Sequence, residues 1–177
     1  MIFDSDILIA TIVLIVGMGY FTVSMVEHTD SYADAVRLNI LYDRASDQLK
    51  SLVSDGTLES AILLINNGYG SMAEEVLKNR INLENYRLSI GNYTISRGYL
   101  DNKDKVVVST LLVMNRTEGW YGIYGDNTTL YITDRHFLSE DEAYNYLNNH
   151  YPNYLYKRVI YYFNSSSPIE VTLIYGG

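Results

Sequence analysis

The sequence contains no cysteine, so neither a disulfide bond nor a thiolate metal site can hold its 177 residues together. It has only two prolines, and neither lies within residues 1–55, where a proline would interrupt a helix. Basic residues are also scarce, and the net charge of −8 argues against a surface that neutralises phosphates. We therefore expect no nucleic-acid partner. The length allows one globular domain and one extended element.

Signals of catalysis are missing too. The three histidines, His28, His136 and His150, are scattered without the spacing of metal ligands. No Gly-x-Ser-x-Gly turn is present. The acidic groups at 101–104 and 139–142 do not fit a calcium loop, because the first is short and contains a lysine and the second fits a helix start. The sequence thus predicts no enzyme, no cofactor and no metal.

What the sequence does contain is a run of twenty uncharged residues, from Ile7 to Val26. A helix of that length spans roughly 30 Å, the hydrocarbon thickness of a bilayer. The run is too long for the apolar part of a signal peptide, no lysine or arginine precedes it, and no Ala-x-Ala site follows it. A buried core helix usually has a polar face, and this segment has none. We therefore predict a membrane-spanning segment.

The charges around this segment are unusual. No lysine or arginine occurs before Arg37, whereas several acidic residues flank the run on both sides. Read literally, the orientation rule for basic residues would place the C-terminal part in the cytoplasm. A removed leader carrying lysine or arginine would reverse that orientation. We therefore expect the sequence to be a processed form, or close to one.

After the apolar run the pattern becomes amphipathic. Apolar residues recur at spacings of three and four, which is typical of one stripe on a helix: Leu38, Leu41, Ala45, Leu49 and Leu52. Asp55 and Gly56 supply the stop. One helix of about fifty residues would be roughly 75 Å long. We predict a membrane or filament-core helix with its stalk over 1–55 and an extracellular β-rich domain over 56–177.

Short helices are predicted next. The segment from Thr57 is amphipathic and ends at Gly68, and two capping boxes, at Ser71–Glu74 and Ser139–Glu142, open further helices, the second over 140–150. Six runs rich in β-branched or aromatic residues predict strands: YRLSI, NYTIS, KVVVSTLLVM, TLYIT, YLYKRVIYYF and IEVTLIY. The turn at 164–168 predicts a hairpin of the last two, and YLYKRVIYYF is expected to be covered on both faces. The fold class is α+β, with a long N-terminal helix, short helices and a C-terminal antiparallel β-sheet domain.

Four Asn-x-Ser/Thr sequons lie in the strand-rich part, at Asn92, Asn115, Asn127 and Asn164, and none lies in the membrane or stalk segment. Glycosylation at these asparagines requires that the domain crosses the membrane. The alternative is that they are turn asparagines beside threonines that favour strands. Their placement predicts a glycosylated outer domain.

An acidic residue before a charge-free apolar run, followed by a long amphipathic helix and a β-rich domain, resembles type IV pilins. With its sequons and a first helix that no proline kinks, the chain is more similar to archaeal than to bacterial type IV pilins. Archaellins have the same N-terminal organisation, but no other archaellin feature is present. The resemblance implies a short basic leader removed by a prepilin peptidase, a membrane-anchored stage, and pilus assembly machinery that bundles the apolar helices into a homopolymer on the cell surface, used for adhesion. Ile12 and Leu14 would lie in the filament core.

In bacterial pilins a glutamate at the fifth mature position neutralises the terminal amine of a neighbouring subunit. This chain has Ser5 between Asp4 and Asp6. The resemblance assigns that role to Asp6 if the mature chain begins at Ile2, and to Asp4 if Met1 is retained. The alternative is that both are solvated acids near the bilayer surface. The alternative function is a single-pass, membrane-anchored adhesive or sensory protein that does not polymerise.

Overall fold

The computed structural model describes residues 2–100, 104–163 and 167–177, and the side chains of residues 2–13 and Asp30 lie outside that description. The chain forms two compact units, unit 1 over Met1–Ile40 and unit 2 over Leu41–Gly177. The predicted domain boundary after residue 55 stays a prediction. The last turns of the first helix nevertheless belong to unit 2.

Helix α1 runs from Ile2 to Ser54, which confirms the long N-terminal helix predicted from the lack of proline. Its residues Leu41, Ala45, Leu49 and Leu52 are buried within unit 2, as their spacing predicted. Leu38, the first residue of that stripe, belongs to unit 1 and is 38% exposed. The helix ends where the sequence indicated, because Gly56 adopts a φ of +77° that other residues rarely take.

Helix α2 spans Thr57–Asn66 and helix α3 spans Gly70–Arg80. The first confirms the predicted helix, whose end is marked by Gly68 at a φ of +85°. The capping box predicted at Ser71–Glu74 is wrong. Helix α3 begins two residues earlier than expected, at Gly70 with Tyr69 as its N-cap, and no side chain caps its first turn. The Glu74 carboxylate instead lies 2.6 Å from Lys78 Nζ and accepts a hydrogen bond from the Tyr93 hydroxyl.

The first sheet is antiparallel and has four strands, β1 (Asn85–Ile90), β2 (Tyr93–Arg97), β3 (Lys105–Leu112) and β7 (Ile169–Gly176). Their spatial order is β2-β1-β7-β3. One face packs on the main core through alternate residues of its central strands: Tyr86, Leu88 and Ile90 on β1, and Val171, Leu173 and Tyr175 on β7. The other face carries the remaining residues, which are half-buried or exposed apart from the buried Gly176.

The second sheet comprises β4 (Gly119–Gly125), β5 (Leu130–Ile132) and β6 (Tyr156–Tyr162), in the order β5-β4-β6. The sequence did not predict β4, because three of its seven residues are glycines, which weaken a strand. The fold explains at least one of them. A Cβ at Gly122 would lie 2.6 Å from Leu147 Cδ2, so the strand needs a glycine to let a helix approach. That helix is α4, Glu140–His150.

The predicted hairpin of the last two strands is wrong. Strand β6 pairs with β4 in the second sheet, whereas β7 pairs with β1 and β3 in the first. Residues 164–166, within the predicted turn, lie outside the described residues. A long-range pairing of this kind leaves no trace in the local sequence pattern, because both strands carry similar apolar alternation.

Helix α4 confirms the capping box at Ser139–Glu142. The Ser139 hydroxyl accepts a hydrogen bond from the Glu142 backbone N–H at 3.2 Å, and the helix covers the predicted residues. It packs on β4 and β6, while α2 packs on the opposite side of that sheet. The core on the α2 side includes Ile160, and a smaller cluster on the α4 side includes Val159. Strand β6 is therefore covered on both faces, as predicted.

Candidate assembly surface

The described apolar side chains of unit 1 form the most exposed apolar surface of the chain. Between Leu14 and Val26 every large apolar side chain is between 54% and 80% exposed. These residues are Leu14, Ile15, Val16, Met18, Tyr20, Phe21, Val23, Met25 and Val26. No charged residue interrupts the segment. Because residues so close together occupy all sides of a helix, the apolar surface surrounds the helix and is not confined to one face.

Two threonine hydroxyls, one in this segment and one just beyond it, are satisfied within the helix itself. The hydroxyl of Thr22 donates to the Met18 carbonyl at 2.8 Å, and that of Thr29 donates to the Met25 carbonyl at the same distance. A hydroxyl satisfied in this way needs no water, so the segment is suited to an apolar environment.

Two glycines, Gly17 and Gly19, lie inside the apolar segment. A glycine within a helix costs about 1 kcal/mol relative to alanine. A Cβ at either position would meet no atom within 4 Å, so contacts within the chain do not require the glycines. Close approach by a second helix would explain them, since small residues allow backbones to come near one another.

Exposed apolar residues continue beyond the predicted membrane segment. Tyr32, Val36 and Ile40 follow at intervals of four and are all exposed. Residues four apart lie on one side of a helix. The spacing of this stripe is visible in the sequence, but it begins after the uncharged run ends at Val26 and was not predicted.

The predicted assembly residues are described only in part. Leu14 is exposed, as its place in a helix without a polar face implies. The structure does not describe the side chains of Asp4, Asp6 and Ile12. The same is true of the other side chains of residues 7–13, the first part of the predicted membrane segment. Among the side chains that the structure describes, no helix combines the length and the apolarity that crossing a membrane requires.

Three predicted glycosylation sites lie on exposed turns of unit 2. Asn92 is in the β1–β2 turn, Asn115 in the β3–β4 loop and Asn127 in the β4–β5 turn, and all three are exposed. Asn164 lies outside the described residues. A transferase needs access to the asparagine, and these positions provide it. Whether glycans are attached stays a prediction.

The Asn127 turn is organised by its neighbour. Asp126 Oδ1 accepts hydrogen bonds from the Thr128 N–H at 2.8 Å, the Thr128 hydroxyl at 2.8 Å and the Thr129 N–H at 2.9 Å. The bond from the Thr128 backbone N–H is the main reason that the pKa of Asp126 lies below its ordinary value. The carboxylate thus holds the turn that presents Asn127 to solvent.

The three histidines lie in different places. His28 is in unit 1, His136 lies against the Tyr121 ring, and His150 ends α4, where its Nδ1 is 3.1 Å from the Tyr146 carbonyl oxygen. In the part of the chain that the structure describes, no group of three or more histidine or acidic side chains could hold a metal ion. His136 and His150 thus have separate aromatic and backbone contacts and share no centre.

Comparison with known proteins finds the uncharacterized protein MJ1471 of Methanocaldococcus jannaschii. It is 38% identical over 182 residues, which cover 98% of this chain and 99% of the relative. No protein-family model and no solved structure matches. Because the match covers nearly all of both chains, it includes the apolar helix as well as unit 2.

Proposed function

The chain belongs to the same family as the Methanocaldococcus jannaschii protein, and we propose that it is a structural subunit of an archaeal type IV pilus-like filament on the cell surface. The observation that carries this proposal is the exposure of every large apolar side chain from Leu14 to Val26. Fully burying such a side chain is worth about 1.5–3 kcal/mol. An isolated chain in water forgoes that stabilisation over the whole segment.

The apolar surface surrounds the helix, and this limits the environments in which the helix can be stable. A helix apolar on one side can pack against a single neighbour, but a helix apolar all round needs apolar surroundings on every side. Lipid supplies them before assembly, and a bundle of like helices supplies them in a filament. Gly17 and Gly19, which no contact within the chain requires, fit a helix that other helices approach closely.

The outer domain fits the same proposal. Unit 2 has its own core, so it can remain folded while the apolar helix moves from lipid into a filament. Its three described sequon asparagines lie on exposed turns, and glycans there would cover the outside. Peptide mapping of the native subunit should locate added mass at Asn92, Asn115 or Asn127, and intact mass should exceed 20.2 kDa.

The deciding experiment is assembly of the full chain after extraction from membranes. Wild type should form filaments visible by electron microscopy. Leu14→Lys and Ile12→Lys should not, because each would bury an unpaired charge among apolar helices. Ser96→Lys adds the same charge at an exposed position on β2 and should assemble normally. Unit 2 should stay folded in all of these variants.

Two results would reject the proposal. Normal filaments from both apolar-segment lysine variants would show that the segment is not the filament core. A wild-type chain that stays in lipid or detergent and never polymerises would instead favour a single-pass membrane-anchored adhesive or sensory protein.

The acidic N-terminus provides a finer test. If Asp6 pairs with the terminal amine of a neighbouring subunit, Asp6→Ala should slow or block polymerisation without changing membrane insertion, because the amine would be left unpaired in apolar surroundings. Asp4→Ala is the matched control if Ile2 is the first residue. Equal filament yields from both variants and wild type would rule out this pairing.

A further inference from the structure

Strand β3 lies at one end of the first sheet, and among the described strands it pairs with β7 alone. Asp104 and Gly177 continue this ladder, and the Gly177 N–H donates to the Asp104 carbonyl at 3.2 Å. Hydrogen-bonded pairs alternate along an antiparallel ladder, so the backbone groups of the even-numbered residues of β3 face β7. Those of Val107, Ser109 and Leu111 therefore point away from the sheet. They form a row of donors and acceptors suited to a further strand.

On the edge strands of the second sheet, in contrast, side chains accept hydrogen bonds from backbone N–H groups. On β6 the Tyr161 N–H donates to the Asn67 side chain at 3.3 Å, and on β5 the Leu130 N–H donates to the Thr57 hydroxyl at 3.4 Å. Within the described residues no such bond reaches the outward backbone of Val107, Ser109 or Leu111. Natural proteins usually block a long edge strand, and this eight-residue strand contains neither proline nor a bulge.

Of the four exposed side chains of β3, Lys105 and Ser109 are polar, and the other two are apolar where a surface strand would usually be polar. Val107 is 53% exposed and Leu111 is 67% exposed, and both lie on the outer face of the sheet with Ser109 between them. An added strand would cover this face in part. Its own side chains at the matching positions should therefore also be apolar, with a small polar residue at the centre.

Strand β3 itself meets that requirement, and we propose that two copies of this chain pair antiparallel through β3. In the proposed register Ser109 lies opposite Ser109 of the second copy, and Val107 lies opposite Leu111 of the second copy. Each apolar side chain then meets an apolar one. A two-residue shift of the second strand in one direction would place Val107 opposite Ser109, and a shift in the other direction would place Leu111 opposite Ser109. Either shift loses the two pairs between Val107 and Leu111.

The inner side of the same edge has room for the added strand. A groove of about 470 Å³ lies between α1 and β3, with Tyr42, Leu49 and Val53 on one wall and Val108 and Thr110 on the other. In the proposed register Val108 lies opposite Thr110 of the second copy. The inner-face side chains of the partner strand would then enter this groove, which fits their small, largely apolar character.

This contact is two-fold, so it joins copies in pairs and does not propagate. It uses only unit 2 and is independent of the bundling of the apolar helices. Subunits within one helical filament are related by a screw operation and not by a two-fold axis, so this contact would join chains before assembly or subunits of neighbouring filaments.

The test uses the natural absence of cysteine. Opposed residues of a hydrogen-bonded antiparallel pair have Cα atoms about 5.5 Å apart, which a disulfide can bridge. The full chain carrying Ser109→Cys should form a dimer under mild oxidation. Ser96→Cys, an equally exposed serine on β2, is the matched control. Thiols held in a pair meet at an effective concentration far above that of free chains at micromolar protein, so we expect at least about tenfold more dimer from Ser109→Cys than from the control.

Two further experiments test the register of the pair and the contribution of Val107. Val107→Cys chains should cross-link to Leu111→Cys chains and not to Ser109→Cys chains. A size tag on one partner separates these mixed dimers from dimers of Ser109→Cys with itself. Adding Val107→Asp to Ser109→Cys should reduce the dimer to the level of the Ser96→Cys control, while filaments still form and unit 2 stays folded.

Equal cross-linking of Ser109→Cys and Ser96→Cys would overturn the pairing. Preferential cross-linking of Val107→Cys to Ser109→Cys would overturn the register. The cross-link is measured in detergent-extracted chains as well as in filaments, so a failure of filament assembly is not mistaken for a failure of this pairing.

Discussion

The two units place similar apolar residues in opposite environments. In unit 1 the described leucine, valine, methionine and aromatic side chains up to Val26 are exposed, whereas unit 2 buries such residues in one main core and a smaller cluster. Unit 2 therefore has an internal source of stability. The apolar surface of unit 1 gains stability only from something outside the chain, because hydrophobic stabilisation requires removal of that surface from water.

The largest expected effect comes from shortening a leucine in each unit. Leu64 is completely buried on α2, and Leu64→Ala should lower the free energy of unfolding of unit 2 by about 2–5 kcal/mol. Leu14→Ala removes the same atoms from an exposed site and should change that free energy by less than about 0.5 kcal/mol. Urea unfolding followed by the fluorescence of Trp120, the only tryptophan, reports on unit 2.

Comparable losses from both leucine variants would mean that the exposed helix contributes to the stability of unit 2. The contrast between the units would then be wrong, and the proposal that the apolar segment serves only an external partner would weaken with it.

The leucines also show what the sequence could predict. Regular spacing and caps were sufficient for α1, α2 and α4, because a helix of this kind is encoded by residues within a few turns of one another. The burial of Leu41 to Leu52 followed from the same spacing. The apolar run without a polar face likewise predicted the exposed segment of the candidate assembly surface.

Features that depend on distant residues were missed. The glycines of strand β4 have a low propensity for strands and are typical of turns. Gly122 is needed because the Leu147 side chain on α4 leaves no room for a Cβ there. The separation of β6 and β7 into two sheets also depends on long-range pairing. The free edge of β3 could not be predicted for the same reason, since a strand is an edge only by virtue of where the other strands lie.

A smaller effect is expected from adding a methyl group to one glycine in each unit. Gly122→Ala forces a Cβ to within 2.6 Å of Leu147 Cδ2 and should destabilise unit 2 by about 1–3 kcal/mol. Gly17→Ala meets open space and should strengthen its helix by up to about 1 kcal/mol. Trp120 fluorescence measures the first effect, and thermal loss of helical circular dichroism measures the second.

The glycine variants distinguish an effect on stability from an effect on filament assembly. If Gly17 allows close approach of neighbouring helices, Gly17→Ala should reduce filament yield although it stabilises the isolated helix. An unchanged yield would contradict that role. A Gly122→Ala chain as stable as wild type would instead show that α4 can move away from β4 without cost.

The smallest expected effect is a pH dependence that belongs to unit 2 alone. The backbone N–H and the hydroxyl of Thr128, with the Thr129 N–H, hold the pKa of Asp126 below its ordinary value of 3.8. Because the pKa is lower in the folded chain than in the unfolded chain, the ionised carboxylate favours folding. This contribution is fully present above about pH 5 and is lost as the pH falls through the folded pKa. Asp126 is exposed, so solvent screening limits the contribution to less than about 1 kcal/mol.

Asp126→Ala should therefore be less stable than wild type at pH 7, and the difference should shrink as the pH falls towards 3. Asp34→Ala, in unit 1, is the control and should leave the unfolding of unit 2 unchanged throughout this range. Urea unfolding followed by Trp120 at several pH values provides the measurement. A difference between wild type and Asp126→Ala that stays constant or grows in acid would show that the turn is held by something other than the ionised carboxylate.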